Sequence, residues 1–180
     1  FFLITSDRKE YKEDVDMPIK NEIEHPIEGP WKVYFDKTKG GASDKSFNDL
    51  TDWGKSDNDS IRFYSGEAVY MKSIKIKENI IGRKVILHFN TICSLARVIV
   101  NGKYVTTLWC SPWEADITPY ITRGSNKLKI SVINSLTNRM IGDANLPKEK
   151  RYTYSTTDTA KPNDRLQPSG IIGNVSYIIK

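Results

Sequence analysis

The chain has 180 residues, 38% apolar and 27% charged, with 27 Lys and Arg against 22 Asp and Glu for a net charge of +5. That is the size of one domain and enough chain to bury a core without metal or several disulfides, which argues against intrinsic disorder. No apolar run approaches the ~20 residues that a membrane-spanning helix needs. Basic residues are interleaved with acidic ones, as in Lys148-Glu149-Lys150-Arg151, and no Arg-rich stripe or zinc-finger spacing marks a nucleic-acid partner.

In chain order, Phe1 to Ile4 are apolar, but no positive region precedes them and no small-residue cleavage site follows, so they do not read as a signal peptide. Phe1 to Thr5 read as the last strand of a preceding domain, and residues 1–28 as that strand plus a linker ahead of a domain at 29–180. Within 31–36, Trp31, Val33 and Phe35 alternate with Lys32, Tyr34 and Asp36, the period of a strand with one dry face. Residues 36–59 are rich in Gly, Ser, Asp and Asn and read as a long surface loop. The stretch 64–76 puts Tyr64, Gly66, Ala68, Tyr70 and Ile74 on one strand face and Glu67 on the other. Residues 85–90 and 128–132 alternate in the same way. Asn101-Gly102, set between 97–100 and 104–108, predicts a two-residue type I′ hairpin, because both residues tolerate positive φ. At 116–121 one helical turn is expected, with Thr118 capping and Pro119 in the first helical position. Residues 145–164 read as a second loop and 175–179 as the closing strand. Helical periodicity is nearly absent, so the fold class is an all-β antiparallel sandwich or barrel.

Candidate chemistry is sparse. The two histidines, His25 and His88, have no nucleophile elbow to serve, and two His with two Cys are too widely spread for a zinc finger. Glu67, Glu114, Asp116 and Asp143 are the carboxylates a glycosidase pair would draw on; Asp143 is close enough in sequence to Arg139 to be its ion-pair partner. Asp57-Asn58-Asp59-Ser60 could offer oxygens to a structural calcium, though it lacks the glycine and distal glutamate of an EF-hand loop. Otherwise no cofactor is expected. Trp53, Trp109, Trp113 and Tyr64 sit at loops or strand ends, where aromatic faces stack on sugar rings, although tryptophans that plug the open end of a sandwich are the more frequent arrangement. Counting back from the Asn101-Gly102 turn through an unbulged hairpin sets Cys93 opposite Cys110, on a rung where Cα atoms approach to about 4.5 Å, the near limit for a disulfide.

Three segments in order carry a family resemblance. They are Gly29-Pro30-Trp31-Lys32-Val33 with Tyr64-Ser65-Gly66-Glu67-Ala68; Ala96-Arg97-Val98-Ile99-Val100-Asn101-Gly102 with Leu108-Trp109 and Asp116-Ile117-Thr118; and Gly124-Ser125-Asn126 with Asn138-Arg139-Met140-Ile141-Gly142-Asp143 and Leu166-Gln167-Pro168-Ser169-Gly170. Together they resemble the galactose-binding-like β-sandwich found in glycoside hydrolases of family 2 and near the C-terminus of family 106 α-L-rhamnosidase-like enzymes. The resemblance implies a jelly-roll sandwich in a larger secreted or periplasmic polysaccharide-degrading enzyme, partnered by a catalytic domain that holds the catalytic carboxylates. It also implies structural roles for Asn101, Gly102, Arg139 and Asp143, the last two pinning a loop. Three functions stay open: a non-catalytic accessory domain, which is preferred; an autonomous carbohydrate-binding module acting on plant polysaccharide or oligosaccharide; and a catalytic domain using loop carboxylates.

Overall fold

A computed structural model of the chain describes residues 22–157 and 160–180. Ten strands are found among them: β1 (Ile23–Pro26), β2 (Trp31–Phe35), β3 (Ser43–Phe47), β4 (Glu67–Ile76), β5 (Val85–Cys93), β6 (Leu95–Val100), β7 (Lys103–Leu108), β8 (Glu114–Asp116), β9 (Gly124–Ile133) and β10 (Gly170–Ile179). They pair antiparallel into two sheets, in the orders β1-β10-β5-β8 and β3-β2-β4-β9-β6-β7. This is the all-β sandwich that the alternation predicts. In β2, Trp31, Val33 and Phe35 are buried while Lys32 and Tyr34 face solvent, because successive strand residues point to opposite sides of the sheet. Across the larger sheet Phe35, Ala68, Val132 and Ala96 share one rung. The two alanines, both fully buried, leave room under the sheet for the Phe35 ring, against which Trp53 and Tyr64 pack edge-on at 5.2 and 5.1 Å.

Asn101 and Gly102 take φ of 51° and 80°, the two left-handed residues a type I′ turn requires. The side chain of Asn101 then bonds outward. Its amide donates to the Tyr120 carbonyl and to Asn126 Oδ1, and its Oδ1 accepts from the Lys127 N–H. The hairpin is bulged, however. Val98 pairs with Thr106 but Ile99 with Tyr104, which leaves Val105 as an extra residue on β7.

That bulge and the turn before β6 overturn the expected disulfide. Ser94, at φ 82°, is the point where the chain leaves one sheet for the other. Cys93 therefore ends β5 and pairs with Gly170, whereas Cys110 lies exposed beyond β7; both thiols are free.

Other sequence expectations need revision. Residues 36–59 are not one surface loop. They contain β3, two single 3-10 turns (Lys37–Lys39 and Trp53–Lys55) and the buried Leu50 and Trp53. Backbone pairing with β2 holds this edge strand, so its side chains can remain polar. Tyr64 precedes β4 rather than lying in it, and the strand starts only after Gly66. Thr118 does not cap: the 3-10 turn Thr118–Tyr120 follows Ile117, and the Thr118 hydroxyl accepts the Val85 N–H while donating to Asp116.

Of two short helices, α1 (Asp59–Arg62) and α2 (Thr137–Ala144), α2 carries the Asn138-Arg139 and Gly142-Asp143 pairs, in a chain whose sequence shows almost no helical periodicity. It buries Asn138, Arg139 and Asp143, and polar residues on the inner face hide the apolar stripe by which a helix is recognised. At the other end, residues expected to be linker belong to the sandwich. β1 pairs with β10 from Ile23 to Pro26, and the buried Ile27 donates its N–H to Val175. The strand expected at Phe1 to Thr5 lies outside the described residues.

Candidate functional site

One end of the sandwich gathers the end of β5, the start of β10, the end of β9, α2 and the loop that follows it. Beneath this end lies a dense buried polar frame. Asn138, fully buried, donates to the Gln167 carbonyl (2.7 Å) and to Ser169 Oγ (3.1 Å) and accepts from the Gln167 N–H (2.8 Å). Asn134 donates to the Tyr64 carbonyl and to Ser169 Oγ and accepts from the Gly66 N–H. Asp52 Oδ1 accepts from the N–H groups of both Gly54 and Ser169. The Tyr70 hydroxyl accepts from Trp53 Nε1 (2.8 Å) and from the Ile171 N–H (3.3 Å). Burial pushes the Tyr70 phenol well above its ordinary pKa, so it stays a neutral acceptor. A Cβ on Gly170 would sit 2.4 Å from Trp53 Nε1, so only glycine lets β10 pass this indole.

Outside that frame, α2 carries an ion pair one turn apart. Arg139 Nε lies 3.2 Å from Asp143 Oδ1, with the side chains 7% and 3% exposed. The contact falls short of hydrogen-bond alignment, so charge rather than a directed bond holds it. Asp143 Oδ2 takes the N–H and hydroxyl of Thr153 at 2.8 and 2.6 Å, and the Arg139 guanidinium lies 4.8 Å from the Tyr152 ring centroid. Asp143 thus ties the loop after α2 to the helix through Thr153.

Several aromatic rings of the domain are exposed to solvent. Tyr152 is 55% exposed, Tyr154 92% and Trp109 73%. An open groove of about 530 Å³ beside Tyr154 is lined by Lys148, Glu149, Arg151, Thr153, Ser155 and Thr156. Of the four aromatic residues expected to meet sugar, Trp109 alone is well exposed. Trp113 is half-buried against the core. Trp53 and Tyr64 are buried in the aromatic cluster, which corrects their assignment: a ring without a free face cannot stack on a sugar. Tyr152 and Tyr154 escaped the sequence reading, although their spacing by one residue in a polar loop was the available signal.

The candidate carboxylates do not assemble. Glu67 opens β4 in the larger sheet, Glu114 and Asp116 lie exposed on β8 in the smaller one, and Asp143 is spent in its buried pair. Glu114 and Asp116 share an outer strand face, but the Thr118 hydroxyl bond, together with the Thr118 N–H and the charge of Lys84, lowers the Asp116 pKa despite some burial. A general acid needs the opposite shift. His88 is half-buried, facing Glu114 across the β5–β8 ladder. At the candidate calcium loop, Asn58 Oδ1 accepts the Ser60 N–H and Asp59 is held by Arg62 at 2.6 Å. No cluster of three or more metal-ligating side chains occurs among the described residues.

The two antiparallel sheets closed over one core define a jelly-roll β-sandwich. The sequence profile described as "Glycosyl hydrolases family 2, sugar binding domain" matches residues 47–180, and the chain belongs to that family. It is 34% identical over 123 residues to a putative beta-glucuronidase of Formosa agariphila, a match covering 67% of this chain and 11% of that protein. To a beta-galactosidase of Thermoanaerobacter pseudethanolicus it is 38% identical over 65 residues, covering 35% and 9%. Among solved structures, a rhamnosidase from Novosphingobium sp. PP1Y superposes with a TM-score of 0.83 at 28% identity, covering 98% of this chain and 16% of that one. A β-glucuronidase from Ruminococcus gnavus, at 0.65 and 21%, shares the fold. The chain thus spans a small fraction of the proteins it matches.

Proposed function

We propose that the domain is a non-catalytic companion in a larger, α-L-rhamnosidase-like glycoside hydrolase that degrades plant polysaccharide outside the cytoplasm, where it packs on and shapes the catalytic domain. The observation that carries this reading is the Novosphingobium rhamnosidase, similar over nearly the whole of this chain while extending far beyond it. Supporting it, the buried polar frame spends its side chains on holding loops, and the Asp116 carboxyl is held below its ordinary pKa, the opposite of what a general acid needs.

The test has two arms. The 180-residue chain alone should release nothing from aryl glycosides, whereas the full-length enzyme encoded by its gene should cleave an aryl α-L-rhamnoside. Sugar release by the isolated chain that disappears in Glu114→Gln or Asp116→Asn would overturn the non-catalytic reading. A full-length enzyme active only on β-glucuronides or β-galactosides would overturn the rhamnosidase assignment.

A further inference from the structure

Between α1, α2, the loop after α2 and Gly40, which ends the first 3-10 turn, lies an open pocket of about 200 Å³. Arg139 lines it with a side chain only 7% exposed. Among the described residues its guanidinium makes no hydrogen bond: Nε has no aligned acceptor, and neither Nη1 nor Nη2 donates to a side chain or a carbonyl. Asp143 supplies charge but no acceptor, since its Oδ1 is misaligned and its Oδ2 takes the N–H and hydroxyl of Thr153. Arginine carries five N–H donors in a fixed fork, and donors buried to this degree cost free energy unless an acceptor meets them.

The backbone on both sides sets the direction of the fork. A Cβ on Gly40 would lie 2.9 Å from Nη1, and one on Gly142 would lie 2.5 Å from Nη2, so glycine at both positions lets the chain close on the guanidinium. The guanidinium carbon sits over the Tyr152 ring, and the Nε side faces Asp143. What remains is the Nη1–Nη2 edge, at the pocket that Gly40, Gly142 and Tyr152 also line. Half-buried Ser60 lines it too. Its N–H bonds to Asn58, while its hydroxyl makes no hydrogen bond among the described residues. Phe63 and Leu146 supply apolar wall.

Size and charge select the ligand. The pocket is smaller than the roughly 300–1,000 Å³ of a site that encloses a whole small molecule, and it suits one functional group. Two parallel N–H groups match a carboxylate, whose oxygens accept both at once. Asp143 already offsets the guanidinium charge, and the rim carries Asp59, 70% exposed and paired with Arg62 at 2.6 Å. A second negative charge on the ligand therefore meets repulsion, which disfavours a phosphate dianion. We propose that this pocket binds a carboxylate group, held by the Nη1–Nη2 edge of Arg139 and by the Ser60 hydroxyl. A free organic acid and an acidic side chain of a polypeptide both carry that group.

The experiment is an NMR titration of the isotope-labelled 180-residue chain at constant ionic strength, read on the Gly40 and Gly142 amides. The probes are propionate, propionamide, inorganic phosphate and the peptide acetyl-Gly-Glu-Gly-amide. Propionate should shift both signals saturably, and propionamide, the same shape without the charge, should bind at least about tenfold more weakly. Phosphate should bind more weakly than propionate. Arg139→Lys keeps a cation beside Asp143 without the fork and should weaken propionate binding at least about tenfold. Ser60→Ala, which leaves the buried pair untouched, should weaken it about threefold or more; the fold of each variant is checked by denaturant midpoint. Peptide binding at least tenfold tighter than propionate assigns the pocket to a polypeptide acid, and equal or weaker peptide binding assigns it to a free acid. No saturable shift with either carboxylate, equal binding of propionamide, tighter binding of phosphate, or unchanged affinity in Ser60→Ala would each overturn the proposal.

Discussion

Tyr70 shows how one buried hydroxyl organises a strand crossing. Its ring belongs to the inner face of β4, stacked parallel to Trp53 at 6.3 Å, yet its oxygen reaches the other sheet and accepts from the Ile171 backbone as well as from the Trp53 indole. Tyr70→Phe keeps the ring and strands both donors in the core. Each buried unsatisfied donor costs about 1–3 kcal/mol, so the variant should lose at least about 2 kcal/mol in denaturant unfolding followed by tryptophan fluorescence. A loss below about 0.5 kcal/mol would show that the donors find other partners. Nothing local in the sequence marks this bond: alternation places Tyr70 inside, but its partners are 17 and 101 residues away.

Elements meet the same limit in different ways. The Asn101-Gly102 turn is legible because two adjacent residues supply its whole requirement. α2 is not, because its inner face is Asn138, Arg139, Ile141 and Asp143, and tertiary hydrogen bonds and a charge pair do what an apolar stripe does elsewhere. Arg139→Ala leaves the Asp143 carboxylate buried without its cation, a change that costs about 3–5 kcal/mol. Arg139→Met/Asp143→Leu removes both charges and should be less destabilising than the single variant. It also removes the anchor of Thr153, so limited proteolysis should cut the loop after α2 faster than in wild type. If the double variant is the less stable of the two, the pair contributes more than mutual neutralisation. The β5–β6 junction gives a separate expectation, since Ser94 parts the cysteines. Mass spectrometry under non-reducing conditions should find two free thiols. Iodoacetamide should label exposed Cys110 before Cys93, whose thiol pKa is raised by burial and by the nearby Asp52 charge.

For the whole molecule, closing two sheets over one core places phenols where ionisation is disfavoured. Tyr177, stacked on His25 at 4.7 Å and facing Glu78, is pushed up to about 12, first by burial and then by the Glu78 carboxylate. Tyr70 and Tyr64 shift upward as well, chiefly through burial. Unfolded tyrosine titrates near 10, so between about pH 10 and 12 the unfolded chain gives up protons that the folded one keeps. Stability from this source is therefore complete below about pH 10 and is lost as pH rises through the folded value. Urea unfolding across that range should show a falling midpoint, and Tyr177→Phe should flatten but not abolish the slope. An unchanged slope would remove Tyr177 as a contributor.

Taken alone, the sequence determined what short-range physics governs: strands from period-two alternation, the hairpin from Asn101-Gly102, an interior made by Trp31, Val33, Phe35 and their counterparts, and, through three ordered segments, the family. Only the tertiary structure decided which aromatic rings face out, that Cys93 and Cys110 belong to different neighbourhoods, that β1 completes the smaller sheet, and that Asn138, Arg139 and Asp143 turn inward on a helix. Each of those outcomes depends on partners far away along the chain or on the bulges and left-handed residues that redirect a strand. A polar or aromatic side chain reads the same in sequence whether a distant donor buries it or solvent receives it.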